Sequence, residues 1–347
     1  MGTPHNASPI RVIEEIDGID RLEPLDAYQS QLVDLVRARL TAGVDALDVT
    51  GAIADANDSL TRRLLGLAES HLGPPPCRYV WLALGSHGRR EQVLSSDQDS
   101  AIAYEATAPH EAAATDEYFA ALAALVVDAL ARAGIPLCGG GYMATNWHRP
   151  LDEFGRLFRT WVEQPQPEAL LKAEVFLDVR ACHGELSPDE LIRILLVGGS
   201  RGPFRTQMAR AAVTFRPPIS LFGRLRVRGS TLDVKRGGTA AIVLLARLYA
   251  LIAGSAEHST ALRLQAAAAA GTLSSATAGD LIDAYCFLTD LRLRHQVQQA
   301  DKNVPADNRV HPDRLTIDQR TTLRAALRTV HSVQQVTAMR FATYAVT

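Results

Sequence analysis

Two carboxylates separated by one residue, Asp97 and Asp99, are the side chains of this chain best suited to metal chemistry. In an extended segment, side chains two positions apart point to the same face, so both would present oxygen ligands side by side. Oxygen ligands in that arrangement suit a hard divalent cation. The pair begins eleven positions after Ser86, within the stretch Gly-Ser-His-Gly-Arg-Arg-Glu-Gln-Val-Leu-Ser-Ser-Asp-Gln-Asp. The sequence therefore predicts a metal site at Asp97 and Asp99.

A Gly-Ser turn predicts a phosphate-binding site next to this metal. It ends the apolar run 79–84, which has the continuous pattern of a strand covered on both faces. A glycine lets a phosphate approach the main chain, and a helix expected to start near Gly88 would add its positive N-terminal end. The residues assigned to nucleotide binding here are Gly85, Ser86, Arg89 and Arg90.

The alternative interpretation of these residues is a tight turn followed by a solvated acidic loop, because Asp and Ser are common turn residues. The carboxylate pair, however, continues directly into 100–104, which has the composition of a strand. This continuity favours the metal site.

The pattern resembles the polymerase-β-like nucleotidyltransferases, in which a Gly-Ser turn is followed about one helix later by an Asp-x-Asp strand. It is similar to the uridylyltransferases and adenylyltransferases of bacterial nitrogen signalling, and to a bacterial family of signal-transduction nucleotidyltransferases with its own C-terminal substrate-binding domain. Four further blocks carry the resemblance to this last family: 135–146, 176–180, 232–238 and 291–296.

The resemblance implies transfer of a nucleoside monophosphate from a nucleoside triphosphate to an acceptor hydroxyl, with release of pyrophosphate. The implied ion is Mg²⁺, with Mn²⁺ as the alternative, and the implied acceptor is a tyrosine on a signalling protein. A regulatory module that binds nucleotide without transferring it is the second interpretation. A nucleic-acid acceptor is disfavoured by the formal net charge of −2 and the aromatic content of 6%.

The chain departs from the superfamily pattern at the third carboxylate, which many of these enzymes carry on a later strand. Residues 135–146 contain no Asp or Glu, and the nearest candidate is Asp178, inside the apolar block that ends at Arg180. Burying a lone carboxylate is costly, so Asp178 is either paired with an arginine or turned toward the metal. We assign it a catalytic role on the second alternative.

The resemblance implies an α+β fold, with a polymerase-β-like sheet flanked by helices, an N-terminal helical segment and a C-terminal helical bundle. The predicted domains are a helical region over 1–75, a nucleotidyltransferase domain over 76–188 and a mainly helical substrate-binding domain over 189–347. The Gly-Pro-Pro-Pro sequence at 73–76 marks the first border, because consecutive prolines cannot continue a helix. A strand is expected over 135–144, and helices are expected over 12–72 with a break near 43, 112–133, 239–253, 260–270, 275–300 and 314–344.

A basic hairpin is expected over 224–235, folded on the two-residue turn Gly229-Ser230. This register pairs Leu225 with Val234, Arg226 with Asp233 and Arg224 with Lys235. The last is a like-charged pair, which is destabilising unless an anion lies near it. A solvated basic face is the alternative for the arginines, whereas Lys235 lies in a block shared with the family and is assigned to nucleotide binding.

Composition is that of an ordinary enzyme. The chain has 347 residues, 47% of them hydrophobic, and its four cysteines fit no metal-ligand spacing. The longest apolar stretch, 239–253, is shorter than the roughly 20 residues that a membrane span needs. We expect a cytoplasmic protein with reduced thiols and no membrane partner. Three basic residues of a predicted helix are left outside the site as solvated or paired: Arg292, Arg294 and His295.

Overall fold

The computed structural model describes residues 12, 16, 18, 19, 25, 27–166, 174–220 and 224–343. The chain forms two compact units. The sheet unit comprises Met1–Phe158 and Glu174–Leu191, and the helical unit comprises Arg159–Ala173 and Ile192–Thr347. One unit is built on a small mixed sheet and the other is mainly helical, so the predicted α+β class is confirmed.

Four strands form the sheet of the sheet unit: β1 (Tyr79–Ala83), β2 (Ser100–Tyr104), β3 (His148–Pro150) and β4 (Arg180–Gly184). Their order is β3-β2-β1-β4. The central strand β1 pairs antiparallel with both β2 and β4, and β2 pairs parallel with β3. Every residue of β1 and β2 is buried, as the continuous apolar run predicts for a strand covered on both faces.

The helices of the sheet unit include α1 (Tyr28–Thr41), α2 (Ala46–Leu72), the single turn α3 (Gly85–Gly88) and α4 (Ala112–Arg132). The long helix α2 packs against α4 and β4. The Asp45 side chain accepts a hydrogen bond from the Leu47 N–H at its start, and the helix ends immediately before Gly73. The predicted break near Gly43 and the predicted stop at 73–76 are both confirmed; most of the predicted helical segment before residue 27 lies outside the described residues.

The helical unit contains α7 (Gly202–Ala212), α8 (Ala240–Ile252), α9 (Thr260–Ala269), α10 (Ser275–Ala300) and α11 (Ile317–Arg340). Two earlier helices, α5 (Leu151–Glu163) and α6 (Asp189–Ser200), contain two of the three points where the chain passes between the units. Ser259, Ser274 and Thr316 cap the N-termini of α9, α10 and α11. The predicted helices of this region are confirmed to within a few residues at each described end; the end expected at 344 lies outside the described residues.

The strand expected over 135–144 is wrong. This segment, which we call the glycine loop (residues 135–146), runs beside the start of β2 without forming a strand. Gln98 N–H donates to the Pro136 carbonyl at 2.8 Å, and Ser100 N–H donates to the Tyr142 carbonyl at 2.9 Å. Between these contacts Gly141 has a φ of 73°, a left-handed conformation that interrupts extended backbone. The parallel partner of β2 is therefore the later strand β3.

The expected register of the basic hairpin is also wrong beyond its turn. Arg228 and Thr231 pair around Gly229-Ser230, but Leu225 bridges to Ile219 instead of Val234. Leu232 and Asp233 form β5, which pairs with β6 (Arg309–Val310). Lys235 begins a short π-helix (Lys235–Thr239), because Asp233 Oδ1 accepts the N–H groups of Lys235 and Arg236 at 2.9 Å each. Arg224 consequently does not face Lys235 across a ladder.

The turn α3 begins at Gly85, three residues earlier than expected, and crosses the main chain that precedes β4 at Gly88. A Cβ atom at Gly88 would lie 1.7 Å from the Asp178 carbonyl oxygen and 2.9 Å from the Ala83 carbonyl oxygen. Both contacts are with backbone, which cannot rotate away as a side chain would. Glycine is therefore required at position 88 by the packing of the turn on the sheet.

We predict that Gly88→Ala lowers the free energy of unfolding by about 3 kcal/mol, because the added methyl group overpacks against main chain. Gly66→Ala is the matched control: Gly66 lies in the interior of α2 with open space around its Cβ position. That substitution should raise the free energy of unfolding by about 0.5–1 kcal/mol through helix propensity. Urea denaturation measures both changes, and similar effects from the two substitutions would contradict this packing.

Candidate active site

Asp97 and Asp99 lie in the extended segment that leads into β2, and both are half-buried. Gln98 between them is buried and turned toward the interior, where its carboxamide donates to the Val127 and Ile135 carbonyl oxygens at 3.2 and 3.0 Å. Carboxylate oxygens of Asp97 and Asp99 lie within 4.8 Å of each other and of the Cys138 thiol. The structure thus brings together the two predicted metal ligands, together with a third ligand group.

The Gly-Ser turn directly approaches Asp99, the second residue of this carboxylate pair. Gly85 has a φ of 52°, and a Cβ atom there would lie 2.4 Å from Asp99 Oδ2. Leu84 N–H donates to the Asp99 carbonyl at 3.0 Å, which fixes the end of β1 beside the start of β2. Ser86, the next residue of the turn, is half-buried. The predicted phosphate-binding turn and the predicted metal ligands therefore lie next to each other.

Cys138 of the glycine loop is the residue that the sequence did not reveal. It is 9% exposed, and burial and the nearby Asp99 carboxylate raise the pKa of its thiol to about 11. Cys138 lies 39 residues beyond Asp99 in the chain, so no local ligand spacing could have indicated it. Hydrogen bonds between the loop and residues 98–100 place the thiol near the carboxylates.

Asp178 is fully buried, and Arg89 Nη1 donates to its Oδ2. Arg89 Nε also donates to Glu91 Oε2 at 2.7 Å. Of the two alternatives for Asp178, pairing with an arginine is the one observed. Among the described residues, two groups of side chains could hold a metal ion, and Asp178 belongs to neither of them. A direct role of Asp178 in catalysis stays a prediction, and so does phosphate binding by Arg89.

The other side of the turn contacts a buried network centred on Asp58 of α2. Asp58 Oδ1 lies 2.7 Å from His87 Nε2 and 2.9 Å from Arg180 Nη2. Arg180 also donates to the Gly88 and His87 carbonyl oxygens, at 3.2 and 3.1 Å. Arg90, which has a φ of 60°, donates to the exposed Asp55 at 2.6 Å and lies 3.7 Å from Asp58. The network thereby fixes the position of the turn from the side of α2.

Asp58, His87 and Cys182 form a second cluster of residues that could ligate a metal. Burial alone would raise the pKa of Asp58, but hydrogen bonds and charges from His87 and Arg180 lower it well below its usual range. Burial raises the pKa of the Cys182 thiol to about 12. Because the Arg180 guanidinium already contacts the carboxylate, a second cation there would meet like-charge repulsion. We interpret this cluster as structural.

The remaining predicted residue, Lys235, lies in the helical unit with an exposed side chain, and its role in nucleotide binding stays a prediction. The three basic residues left outside the site are paired, as expected. Arg292 donates to Asn308 at 2.9 Å, Arg294 pairs with Asp290 one helical turn away, and His295 Nε2 lies 2.9 Å from Asp307 Oδ1.

Two family models match the chain. The model described as "Putative nucleotidyltransferase DUF294" matches residues 30–168, and the model described as "Putative nucleotidyltransferase substrate binding domain" matches residues 202–341. A comparison with curated proteins gives no match. The chain belongs to this nucleotidyltransferase family and carries the family's C-terminal substrate-binding domain, so the predicted family is confirmed. The family supports nucleotidyltransferase activity in general terms, with a nucleoside triphosphate as substrate.

None of the helices in the described part of the chain combines the length and apolar character required to cross a membrane. The four cysteines, all of which lie in the described part of the chain, form no disulfide with one another.

We predict that Asp58→Asn lowers the free energy of unfolding by about 3–5 kcal/mol, the usual cost of removing one partner of a buried ion pair. Asp55→Asn is the matched control, because Asp55 lies one turn earlier on α2 and pairs with Arg90 at the surface. Its loss should cost less than about 1 kcal/mol. Urea denaturation at neutral pH distinguishes the two, and a small loss for both would contradict the buried network.

The stability difference between wild type and Asp58→Asn should also depend on pH. The pKa of Asp58 is lower in the folded state than in the unfolded state, so the unfolded state binds the proton more readily in acid. The stabilisation is therefore present above the ordinary carboxyl pKa of about 4 and is lost as the pH falls below it. The difference between the denaturation midpoints of the two proteins should decrease progressively from neutral pH to about pH 3; a constant difference would contradict the pairing.

Proposed function

We propose that the protein transfers a nucleoside monophosphate, UMP or AMP, from a nucleoside triphosphate to a hydroxyl group of a signalling protein, releasing pyrophosphate. The observation that carries this proposal is the close approach of the Asp99 carboxylate, which lies beside that of Asp97, to Gly85 at the start of the turn. Carboxylates beside a turn that begins with glycine suit a triphosphate that must approach both main chain and cation. The proposed ion is Mg²⁺, with Mn²⁺ as the alternative.

The residues of the site fit such an ion, because Asp97 and Asp99 offer two oxygen ligands at its open edge and leave room for phosphate oxygens and water. When bound, a divalent cation supplies stabilisation of the charge on the triphosphate and on leaving pyrophosphate. Gly85 and Ser86 are proposed to contact the β- and γ-phosphates. The acceptor oxygen bonds to the α-phosphorus as the bond from that phosphorus to the β-phosphate oxygen breaks, and the hydroxyl proton passes to solvent.

The two arginines have different roles in this proposal. Arg90 is 41% exposed at its side chain and pairs with a surface carboxylate, so it can turn toward a phosphate at little cost. Arg89 is fixed between Asp178 and Glu91. Asp178 is accordingly proposed to act by orienting Arg89 toward the nucleotide.

A regulatory module that binds nucleotide without transferring it is the second candidate. The pairing of Asp178 with Arg89 favours it, since among the residues that the structure describes the site then holds only two carboxylates. This candidate predicts tight nucleotide binding without transfer to any acceptor.

The transfer reaction is tested by incubating the protein with Mg²⁺, cell lysate and each nucleoside triphosphate labelled at the α-phosphorus. We predict that one nucleotide labels a protein band and that Asp97→Asn with Asp99→Asn reduces labelling by about 1,000-fold, because several kcal/mol of transition-state stabilisation is lost. Asp128→Asn, which makes the same type of substitution at a single exposed acid of α4, is the control and should label normally.

The outcomes separate the candidates. If a nucleotide labelled at the γ-phosphorus labels the acceptor and one labelled at the α-phosphorus does not, nucleotidyl transfer is contradicted. Binding without transfer across lysates would favour the regulatory module, and label in a nuclease-sensitive fraction would exclude the protein acceptor. We propose the cytoplasm as the compartment in which this acceptor is met.

The helical unit is proposed to contribute Lys235 to the nucleotide and its exposed arginines Arg224, Arg226 and Arg228 to an acidic region of the acceptor. We predict that Lys235→Ala raises the dissociation constant of the nucleoside triphosphate by about tenfold, the effect of one charge-assisted contact of about 1.4 kcal/mol. Lys302→Ala, at another exposed lysine of the same unit, should leave it unchanged. Isothermal titration calorimetry measures both, and equal affinities would remove Lys235 from the site.

A further inference from the structure

We propose that the Cys138 thiolate is a third ligand of the ion held by Asp97 and Asp99, and that it gives the site a preference for a borderline-soft divalent ion such as Zn²⁺ over Mg²⁺. This inference rests on the proposed function, because it concerns the same metal site. It goes beyond that function by identifying which class of ion the site retains most tightly.

The geometry of the three ligand atoms carries the proposal. One carboxylate oxygen from each aspartate and the Cys138 Sγ atom all lie within 4.8 Å of one another. Ligands of one Zn²⁺ ion lie about 2.0–2.3 Å from it, so two of them are separated by no more than about 4.5 Å. The observed separations therefore require only small side-chain movements to enclose a single ion.

The position of Cys138 is fixed by hydrogen bonds on both sides of it in the chain. Before it, the Gln98 side chain donates to the Ile135 carbonyl, and the Gln98 N–H donates to the Pro136 carbonyl. After it, Ser100 accepts the Ala144 N–H at its hydroxyl oxygen and donates its own N–H to the Tyr142 carbonyl. Gln98 and Ser100 flank Asp99, so the backbone segment that carries the carboxylates also carries the contacts that place the thiol.

The donor set decides the metal preference. Carboxylates and water are the ligands that suit Mg²⁺, whereas a thiolate selects softer ions such as Zn²⁺. Binding replaces the thiol proton by the metal: Cys138–SH and M²⁺ give Cys138–S–M⁺ and H⁺, with no change of oxidation state. The thiol is buried while both carboxylates remain half-exposed, so the sulfur forms the inner wall of the site and the oxygens form its open edge.

Co²⁺ is the probe for the test, because it replaces Zn²⁺ and absorbs in the near ultraviolet when a thiolate binds it. We expect this sulfur-to-cobalt band in the wild-type protein and in Cys77→Ser, and its loss in Cys138→Ser. Cys77 is the matched control, since it is a half-buried thiol of the same unit outside both clusters. The Cys138→Ser substitution should also weaken Zn²⁺ binding by about 100-fold and Mg²⁺ binding by less than about threefold.

A second measurement does not depend on the variant folding. In the wild-type protein, Zn²⁺ should slow alkylation of Cys138 by iodoacetamide without slowing that of Cys77, as read by mass spectrometry of peptides. Retention of the cobalt band in Cys138→Ser, or equal alkylation of Cys138 with and without Zn²⁺, would overturn the proposal.

The proposal and the function it rests on fail in different ways. α-Label transfer by the wild-type protein with Mg²⁺, together with an unchanged cobalt band in Cys138→Ser, would refute the thiol ligand and leave the function standing. Loss of the cobalt band in Cys138→Ser, together with no transfer of α-label by the wild-type protein, would refute the function. The mixed-ligand metal site would still stand.

Discussion

The close approach of the Asp99 carboxylate to Gly85 is the contact on which the rest of the site depends. It leaves no room for a side chain at the end of β1, and it places the carboxylate of a proposed metal ligand directly against the start of the turn. The same turn is confined at its other end, where Gly88 meets the Asp178 and Ala83 carbonyl oxygens. Gly85 therefore lets the start of β2 pack against the end of the central strand, and Gly88 does the same for the segment that precedes β4.

Charge pairing stabilises this arrangement from behind. Asp58 contacts His87 and Arg180, and Arg180 donates hydrogen bonds to carbonyl oxygens of the turn α3. The helix α2 and the strand β4 therefore both hold this turn in place. Arg89 is likewise placed between Glu91 and Asp178. The positive charges of Arg180 and Arg89 already face protein carboxylates. Neutralisation of the negative charge of a bound triphosphate therefore depends strongly on the cation at Asp97 and Asp99.

The parts of the site that are local in sequence were predictable, and the parts that depend on tertiary contacts were not. Alternation along an extended segment is a backbone property, so Asp97 and Asp99 share a side while Gln98 is turned inward. The loop at 135–146 has strand-like composition, but the conformation of Gly141 and hydrogen bonds from Gln98 and Ser100 override it. The same bonds bring Cys138 to the carboxylates. The basic hairpin was mispaired for a similar reason, because Asp233 caps the π-helix that follows instead of pairing with Arg226.

The claim that two carboxylates at a glycine turn catalyse nucleotidyl transfer is tested most directly by the stoichiometry of the leaving group. Pyrophosphate release and α-label incorporation into the acceptor would be measured in the same reaction with Mg²⁺ or Mn²⁺. The account predicts one pyrophosphate for each label transferred, with both lost together when Asp97 and Asp99 are replaced by asparagine. Release of inorganic phosphate in place of pyrophosphate, or undiminished transfer by the doubly substituted protein, would contradict it.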